Sequence, residues 1–556
     1  MNQKPARSSK SEIFRQETIS FEKIPHQSKL FIDFQNDSKT VEKFYPEKSA
    51  SLKNFAAQVL SNYKIDRAAL CDILAETNES FGAEKKTFEN IELLREKDCV
   101  AIVTGQQAGL FSGALYAIYK AVSAVKLAAD LRKENIKAVP VFWIAEEDHD
   151  FDEVKKTFNL DKKGKLLESE NTPENYIENR PVGLIEFDEK INETIENLFE
   201  NFPRAEFTEE TEKLLRETHQ AGETYSRAFA RFIAKIFADY GLIILSPMNE
   251  KLKKLCAPIY AEAVEKSDEI IAALLERNGE LERENYHPQV LVTENSFPFF
   301  YQNETGERQS LRRNTQNSTL KIQNLKVEYK KSELKKIAEN SPQCLSPNAL
   351  MRPIVQDYLL PTLVYFGGAA EIAYFAQSSV IYEILNRPVT PIRHRASFTV
   401  VERKHARTLE KYKLNFENLF EGKEKTSARI VEKFLNKDKA RTFAEVEENI
   451  NAQLDKLDRA LTKDDLTLSA NLINRRKKII WHIGALRKKY HRAEITKNEI
   501  VQRRIENLFA ALLPHNALQE RTLNVLTFTN LYGENFIDWI YEAVGTDEKN
   551  HQILYL

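Results

Sequence analysis

Residues 99–152 read CVAIVTGQQAGLFSGALYAIYKAVSAVKLAADLRKENIKAVPVFWIAEEDHDFD, and this stretch decides the fold class. Residues 99–104 form a short apolar run that predicts a buried strand. Gly105-Gln106-Gln107-Ala108-Gly109 follows as a glycine-bracketed turn. Leu115, Ile118, Val122, Val125, Leu127 and Leu131 then recur at helical spacing. Residues 139–145 predict a second buried strand, which runs into the acidic loop Glu147-Asp148-His149-Asp150. A strand–helix–strand unit of about 40 residues is ordinary, and its crossover is nearly always right-handed with parallel strands. Ligands in such sheets bind beyond the carboxyl ends of the strands. Both polar clusters fall at such ends, so they are expected to face one cleft.

Outward from this unit, the chain has 556 residues, enough for several domains with their own cores. A net charge of −2 gives no electrostatic reason to expect nucleic acid or an anionic membrane as partner. The four cysteines (Cys71, Cys99, Cys256, Cys344) are scattered without a CxxC pair, which suggests reduced thiols rather than disulfides or a zinc site. The start, MNQKPARSSKSEIFRQ, lacks the apolar region of a signal peptide. The longest uncharged apolar stretch, near residues 358–370, is short of the ~20 residues that span a bilayer. A cytoplasmic protein is expected.

Between Pro391 and Pro514 there is no proline, and the only glycines are Gly422 and Gly484. Ile450, Leu454, Leu457 and Leu461, then Ile479, Ile483, Leu486, Tyr490 and Ala493, recur in steps of four and three. Those are coiled-coil seams, and Lys463-Asp464-Asp465 suits a turn between two antiparallel helices. The expected organisation is a core over 1–400 with insertions around 155–215, a helical hairpin over 401–513 and a tail, 514–556, packed on the core. A helix is also expected over residues 226–240, and strands over residues 241–246, 289–292 and 299–301.

The residues then carry a family resemblance. TGQQAGLF and VFWIAEEDHDFDE, followed in order by YHPQV (286–290), SPNALMRPIVQDYLLPTLVYFGGAAEIAYFAQ (346–377) and LQER (518–521), resemble the bacillithiol-biosynthesis enzymes proposed to add cysteine to glucosaminyl-malate. Two departures from that pattern stand out: Glu146 stands where a small or neutral residue is expected, and Ala369-Ala370 where the family often has Pro-Gly. The resemblance implies a Rossmann-like α/β core of parallel strands related to class I aminoacyl-tRNA synthetases. It also implies connecting insertions and a long α-helical coiled-coil domain that makes a homodimer.

The candidate site residues follow from these motifs. Residues 105–109 are either a tight strand–helix turn or an anion cradle, since glycine lets a backbone approach closely and helix amides attract anions. Gly105, Gln106 and Gly109 are binding candidates there, and Gln107 a catalytic one. The acidic loop is either a solvated helix cap or a functional cluster, with Asp148 and His149 as catalytic candidates flanked by Glu147 and Asp150. Within residues 348–377, the polar residues among the core positions are Asn348, Arg352, Gln356, Asp357, Glu371, Tyr374 and Gln377, with Gly367-Gly368 as a turn. Arg352 suits a bidentate grip on carboxylate or phosphate, or an ion pair with Asp357. No metal set is expected from adjacent residues of this kind. His482-Ile483-Gly484-Ala485 resembles the synthetase HIGH signature but lies inside a heptad helix, so it is read as chance.

The expected function is a ligase joining L-cysteine to glucosaminyl-malate in the last step of bacillithiol biosynthesis. ATP with Mg²⁺ would activate the carboxyl, and no tightly bound prosthetic group is expected. The alternative is a non-catalytic nucleotide- or thiol-binding dimer on a synthetase-like fold. Missing HIGH and KMSKS signatures and a near-neutral charge disfavour a tRNA-binding relative.

Overall fold

The computed structural model describes residues 13–46, 51–314, 319–322, 328–464 and 466–556. Residues 1–12, on which the expected absence of a signal peptide bears, lie outside these, as does Asp465 of the expected turn. The chain divides into two compact units. The first runs to Lys162 and adds Leu166–Thr399 and Gln519–Leu554; the second holds Lys163–Lys165, Val400–Leu518 and Tyr555–Leu556.

The first unit is built on the expected strand–helix–strand. Strand β1 (Val100–Gln106) leads into helix α1 (Tyr116–Lys133) and returns as strand β2 (Ala138–Ile144). Strand β3 (Ile243–Leu245) follows later. Strands β4 (Phe299–Gln302), β5 (Arg308–Asn314), β6 (Thr319–Ile322), β7 (Glu328–Lys330) and β8 (Leu345–Pro347) form a separate antiparallel sheet in the order β7-β6-β5-β4-β8. Helix α2 (Arg352–Leu359), strand β9 (Thr362–Gly367), helix α3 (Ala369–Ile384) and strand β10 (Ile392–His394) complete the core. The principal sheet runs β10-β9-β1-β2-β3 with every pair parallel. The chain thus proceeds outward from β1 through β2 to β3 on one side and through β9 to β10 on the other. That reversal is the crevice where open parallel sheets bind ligands.

Composition explains the sheet. All seven residues of β2 are buried, and β1 is buried up to Gly105, the pattern of a strand covered on both faces. Val100 and Ile102 of β1 pack with Ala124, Leu127, Ala128 and Leu131 of α1 and with Leu363, Val364 and Phe366 of β9. Each large side chain in such a cluster contributes roughly 1.5–3 kcal/mol through burial. Pro140, which lacks an N–H, sits one residue before β2 begins to pair with β3 at Val141.

Three boundaries differ from expectation. Gly105 and Gln106 belong to β1 rather than to the turn, because they stay in register with Trp143 and Ile144. The helix expected over 226–240 ends at Ile236, and a short 3-10 turn continues it to Tyr240. Residues 289–292 are not a strand: the Gln377 amide donates to the Val290 carbonyl and accepts from its N–H, both at 2.9 Å, so a side chain takes the place of a neighbouring strand.

In the second unit, helices α4 (Lys437–Asp464) and α5 (Leu466–Lys497) pack along each other, with Arg476 paired to Asp455 and Arg487 to Glu447. Leu457, Ile479 and Leu486 of the expected seams are exposed, together with Leu468, Ile473 and Trp481. Among the described residues, no helix is long and apolar enough to cross a membrane.

Candidate active site

A cleft of about 620 Å³ opens in the first unit beyond the carboxyl ends of β1, β2, β9 and β10. Gly105 is required by packing there, since a Cβ would stand 2.6 Å from the Trp143 carbonyl oxygen. The Ala145 amide donates to the Gln106 carbonyl at 2.8 Å, which keeps the two strands together to the rim. Gln107 then leaves the sheet, and its Nε2 donates to Asp148 Oδ2 at 2.8 Å. The two motifs of the opening stretch are therefore bonded to each other.

Asp148 Oδ1 accepts from the His149 and Asp150 amides at 2.7 and 3.3 Å, which fixes the loop around its carboxylate. His149 is held from outside the loop. Arg308, on β5, lies over the Phe300 ring at 3.9 Å and donates from Nε to Ser346 Oγ at 2.8 Å and from Nη2 to the Pro347 carbonyl at 3.0 Å. Its Nη1 meets His149 Nδ1 at 3.3 Å. A guanidinium only donates, so Nδ1 is the acceptor and the imidazole carries its proton on Nε2. Burial and then the Arg308 charge hold His149 below its ordinary pKa, against the pull of Asp148 and Asp150. His149 is thus a neutral ring offering an N–H.

The two acids that precede Asp148 are occupied. Glu147 makes a buried ion pair with Lys253, which also donates to the Leu345 carbonyl at 2.6 Å. Glu146 is buried and accepts from the Ser226 and Ser246 hydroxyls and, at 2.9 Å, from the Met248 amide. Its departure from the family pattern is therefore accommodated inside the fold. Burial pushes its carboxyl up.

The remaining wall is basic. Lys120, on α1, donates to the Gly105 carbonyl at 2.8 Å and Gln106 Oε1 at 2.9 Å, and pairs with Glu371. Glu371 caps its own helix, accepting from the Gly368 amide at 2.7 Å, and takes the Tyr365 hydroxyl at 2.6 Å. Burial alone would raise its pKa; Lys120, Tyr365 and the Gly368 amide outweigh that and hold it below the usual carboxylate value. Arg352 donates to Gln356 Oε1 at 2.9 Å and to the Tyr374 hydroxyl at 3.0 Å, and lies over the Tyr365 ring at 5.2 Å. It does not pair with Asp357. Gly368, Ala369 and Ala370 bring the first turn of α3 to the same cleft, where helix amides are left without intrahelical acceptors.

Of the residues expected at the site, Gly105, Gln106, Gln107, Glu147, Asp148, His149, Asn348, Arg352, Gly368, Glu371 and Tyr374 line this cleft. Gly109 and Asp150 line a neighbouring cavity of about 520 Å³ instead. Gly367, Gln356, Asp357 and Gln377 line neither. A Cβ on Gly367 would meet Glu371 and Ile392, so its need for glycine is packing. Gln356 holds Arg352 and Asp357, Asp357 takes the Tyr382 hydroxyl, and Gln377 braces Val290. Sequence reasoning missed Lys120, Arg308, Arg395 and Arg521. Lys120 interrupts an apolar helix face and was visible as such; Arg308 and Arg395 are single cations in ordinary strand and loop contexts, with no local signal. Arg521 lay within the quoted LQER motif and was not singled out.

Comparison with known proteins agrees across the chain. The family profile described as bacillithiol biosynthesis BshC, N-terminal Rossmann-like domain, matches residues 15–396, and that of the BshC C-terminal coiled-coil domain matches residues 398–556. A relative from Koribacter versatilis, named "Putative cysteine ligase BshC", is 34% identical over 95% of this chain and 97% of its own length. One of the same name from Salinibacter ruber is 31% identical over 94% and 96%. A solved structure titled "putative arginyl t-RNA synthetase" from Campylobacter jejuni covers 77% of this chain and 96% of its own, at 11% identity and a TM-score of 0.22, too low to carry an argument.

Proposed function

Since this chain belongs to the BshC family of bacillithiol-biosynthesis enzymes and is a ligase, we propose that it joins the carboxyl of L-cysteine to the amine of glucosaminyl-malate, the last step of bacillithiol biosynthesis, with ATP activating the carboxyl. The observation that carries this reading is one cleft with a neutral histidine and the half-buried Asp148 carboxylate on one wall and, on the other, cations that include Arg352, bonded to neutral partners.

Amide formation from a carboxylate and an amine is uphill in water. Activation puts a phosphoryl or adenylyl group on the carboxyl oxygen; the amine nitrogen then attacks the acyl carbon, sheds a proton, and the phosphate or nucleotide leaves with the C–O bond electrons. Arg352 and the first turn of α3 suit the phosphates, through charge and backbone N–H groups. His149 Nε2–H suits an oxygen on which charge develops, because a donor fixed in advance costs no reorganisation. Asp148, already oriented by three donors, suits the amine as an acceptor. Mg²⁺ would neutralise phosphate charge and would be held by those phosphates with one or two carboxylates, for which the cleft offers Glu153 and Asp148, the latter 3.9 Å from the Arg308 guanidinium.

We also propose a homodimer through α4 and α5, whose exposed Leu457, Leu468, Ile473, Ile479, Trp481 and Leu486 support it. Mass spectrometry of purified protein with cysteine, glucosaminyl-malate and ATP tests the reaction: the amide product is expected. Binding of nucleotide without turnover would favour a non-catalytic protein. Light scattering is expected to give twice the chain mass, falling toward the monomer in Trp481→Glu/Leu486→Glu.

A further inference from the structure

Two cations of the basic wall have no carboxylate paired with them among the described residues. Lys120, Arg352, Arg395 and Arg521 all line the cleft, but among the described residues only two carboxylates, Glu371 and Glu520, pair with them. Arg352 is hydrogen-bonded only to neutral partners, and Arg521 makes no ion pair among the described residues. Arg395 is 4% exposed. Its Nη2 donates to Glu520 Oε1 at 2.7 Å and its Nη1 to the Ala396 carbonyl at 2.9 Å, while its Nε has no acceptor among the described residues. A buried N–H left open is unusual and calls for a missing partner.

Glu520 is not free to release Arg395. It also accepts from Ser397 Oγ at 2.8 Å and from the Phe398 amide at 2.9 Å, so the guanidinium is held in place over the Tyr116 ring at 5.6 Å. The next residue, Arg521, is exposed and borders both the cleft and the neighbouring cavity, as Tyr116 and Glu153 do. Glu520 and Arg521 come from the segment Gln519–Leu554, remote in sequence from the parallel strands yet part of the same compact unit. One dipeptide thus anchors one cleft arginine and supplies another.

We propose that Arg395 and Arg521, set by Glu520, form with Arg352 an oxyanion subsite for a substrate carboxylate or phosphate. The inference deepens the ligase reading and rests on it only for which oxyanion arrives: the malyl carboxylates of the acceptor or the phosphates of the nucleotide. Two cations beyond the internal pairs match a dianion of either kind. The subsite also makes the C-terminal segment part of the catalytic unit, so that the strand–helix core alone holds an incomplete cleft.

Titration calorimetry on the full chain, with L-malate and with pyrophosphate as separate probes, tests this. The wild type is expected to bind at least one probe, and Arg521→Ala and Arg395→Lys to weaken that probe at least tenfold. A fall for malate assigns the acceptor's carboxylates, and a fall for pyrophosphate the nucleotide; the KM of the matching substrate should rise by a similar factor with kcat changed less. Because Arg521 is exposed, its variant should melt like the wild type, and it decides the matter alone if Arg395→Lys does not fold. A wild type that binds neither probe, or variants that bind both as the wild type does, overturns the subsite. Amide formation with unchanged probe binding removes the subsite and leaves the ligase; weakened probe binding with no amide formed by the wild type does the reverse.

Discussion

If Arg308 fixes His149 as an N–H donor, the two residues must act as one unit, and a double-mutant cycle reads that directly. Arg308 does not line up a charge for its own sake: it is 9% exposed in its side chain, stacked on Phe300, and three of its nitrogens have assigned partners. Removing a donor aimed at developing charge typically costs a factor of about 10²–10³ in rate, or roughly 2.7–4 kcal/mol, and His149→Ala is expected to lose that much kcat. The Arg308–His149 bond is charge-assisted, and such bonds contribute roughly 1.5–3 kcal/mol. Arg308→Met, which keeps length without a donor, is therefore expected to lose about 10- to 100-fold. In the double variant the second loss should vanish, since Arg308 has no histidine left to orient. The pH profile adds an independent reading. Arg308 lowers the His149 pKa, so Arg308→Met should move the acid limb of kcat/KM upward in pH. Steady-state kinetics on the four proteins supplies both results. Losses that multiply in the double variant, with an unmoved acid limb, would refute the reasoning.

Asp148→Asn should keep the loop, because the His149 and Asp150 amides still find its one oxygen and the Gln107 amide can turn its own oxygen to the new NH2, but it removes the charge facing an amine; KM for the acceptor should rise with little change in thermal melting. Glu147→Gln should instead cost about 3–5 kcal/mol in denaturant unfolding, because it leaves Lys253, 3% exposed in its side chain, without its counter-charge; a wild-type midpoint would show the pair to be dispensable. Stability should also fall in mild acid. Burial holds His219 at about 3 and His551 at about 4, so both stay neutral in the fold while the unfolded chain protonates them below about pH 6.5. The unfolded state then binds more protons, stability drops as pH falls, and each should contribute about 2 kcal/mol of loss between about pH 6.5 and about pH 5. His219→Phe, set among Phe111, Phe187 and Phe232, should flatten that slope in urea midpoints across pH.

The parallel sheet was legible because two buried strands flank a long helix within one continuous stretch, and burial on both faces writes itself as unbroken apolar runs. What escaped was set by tertiary partners. The strand expected at residues 289–292 had the right side chains, but the Gln377 amide bonds Val290, and nothing local in either segment announces that. The end of β1 was misplaced because glycine reads as a turn, whereas Gly105 is there so that β1 can pass the Trp143 carbonyl.

The site divides along the same line. Asp148, His149, Gln107, Arg352, Glu371 and Tyr374 reach the cleft from motifs dense in polar residues between apolar ones, a contrast visible in sequence. Gln356, Asp357 and Gln377 share that contrast but serve the fold, since a buried polar side chain must be satisfied whether or not a ligand is near. Polarity within a core segment therefore marks proximity to the site without separating its members from their supports. Charge balance separates them better. Lys253 and Glu147 cancel, Lys120 and Glu371 cancel, Arg395 is matched by Glu520, and Arg308 lies 3.9 Å from Asp148. Arg352 and Arg521 are left over, and a cation that the protein leaves unmatched in a cleft is one that an incoming anion can match.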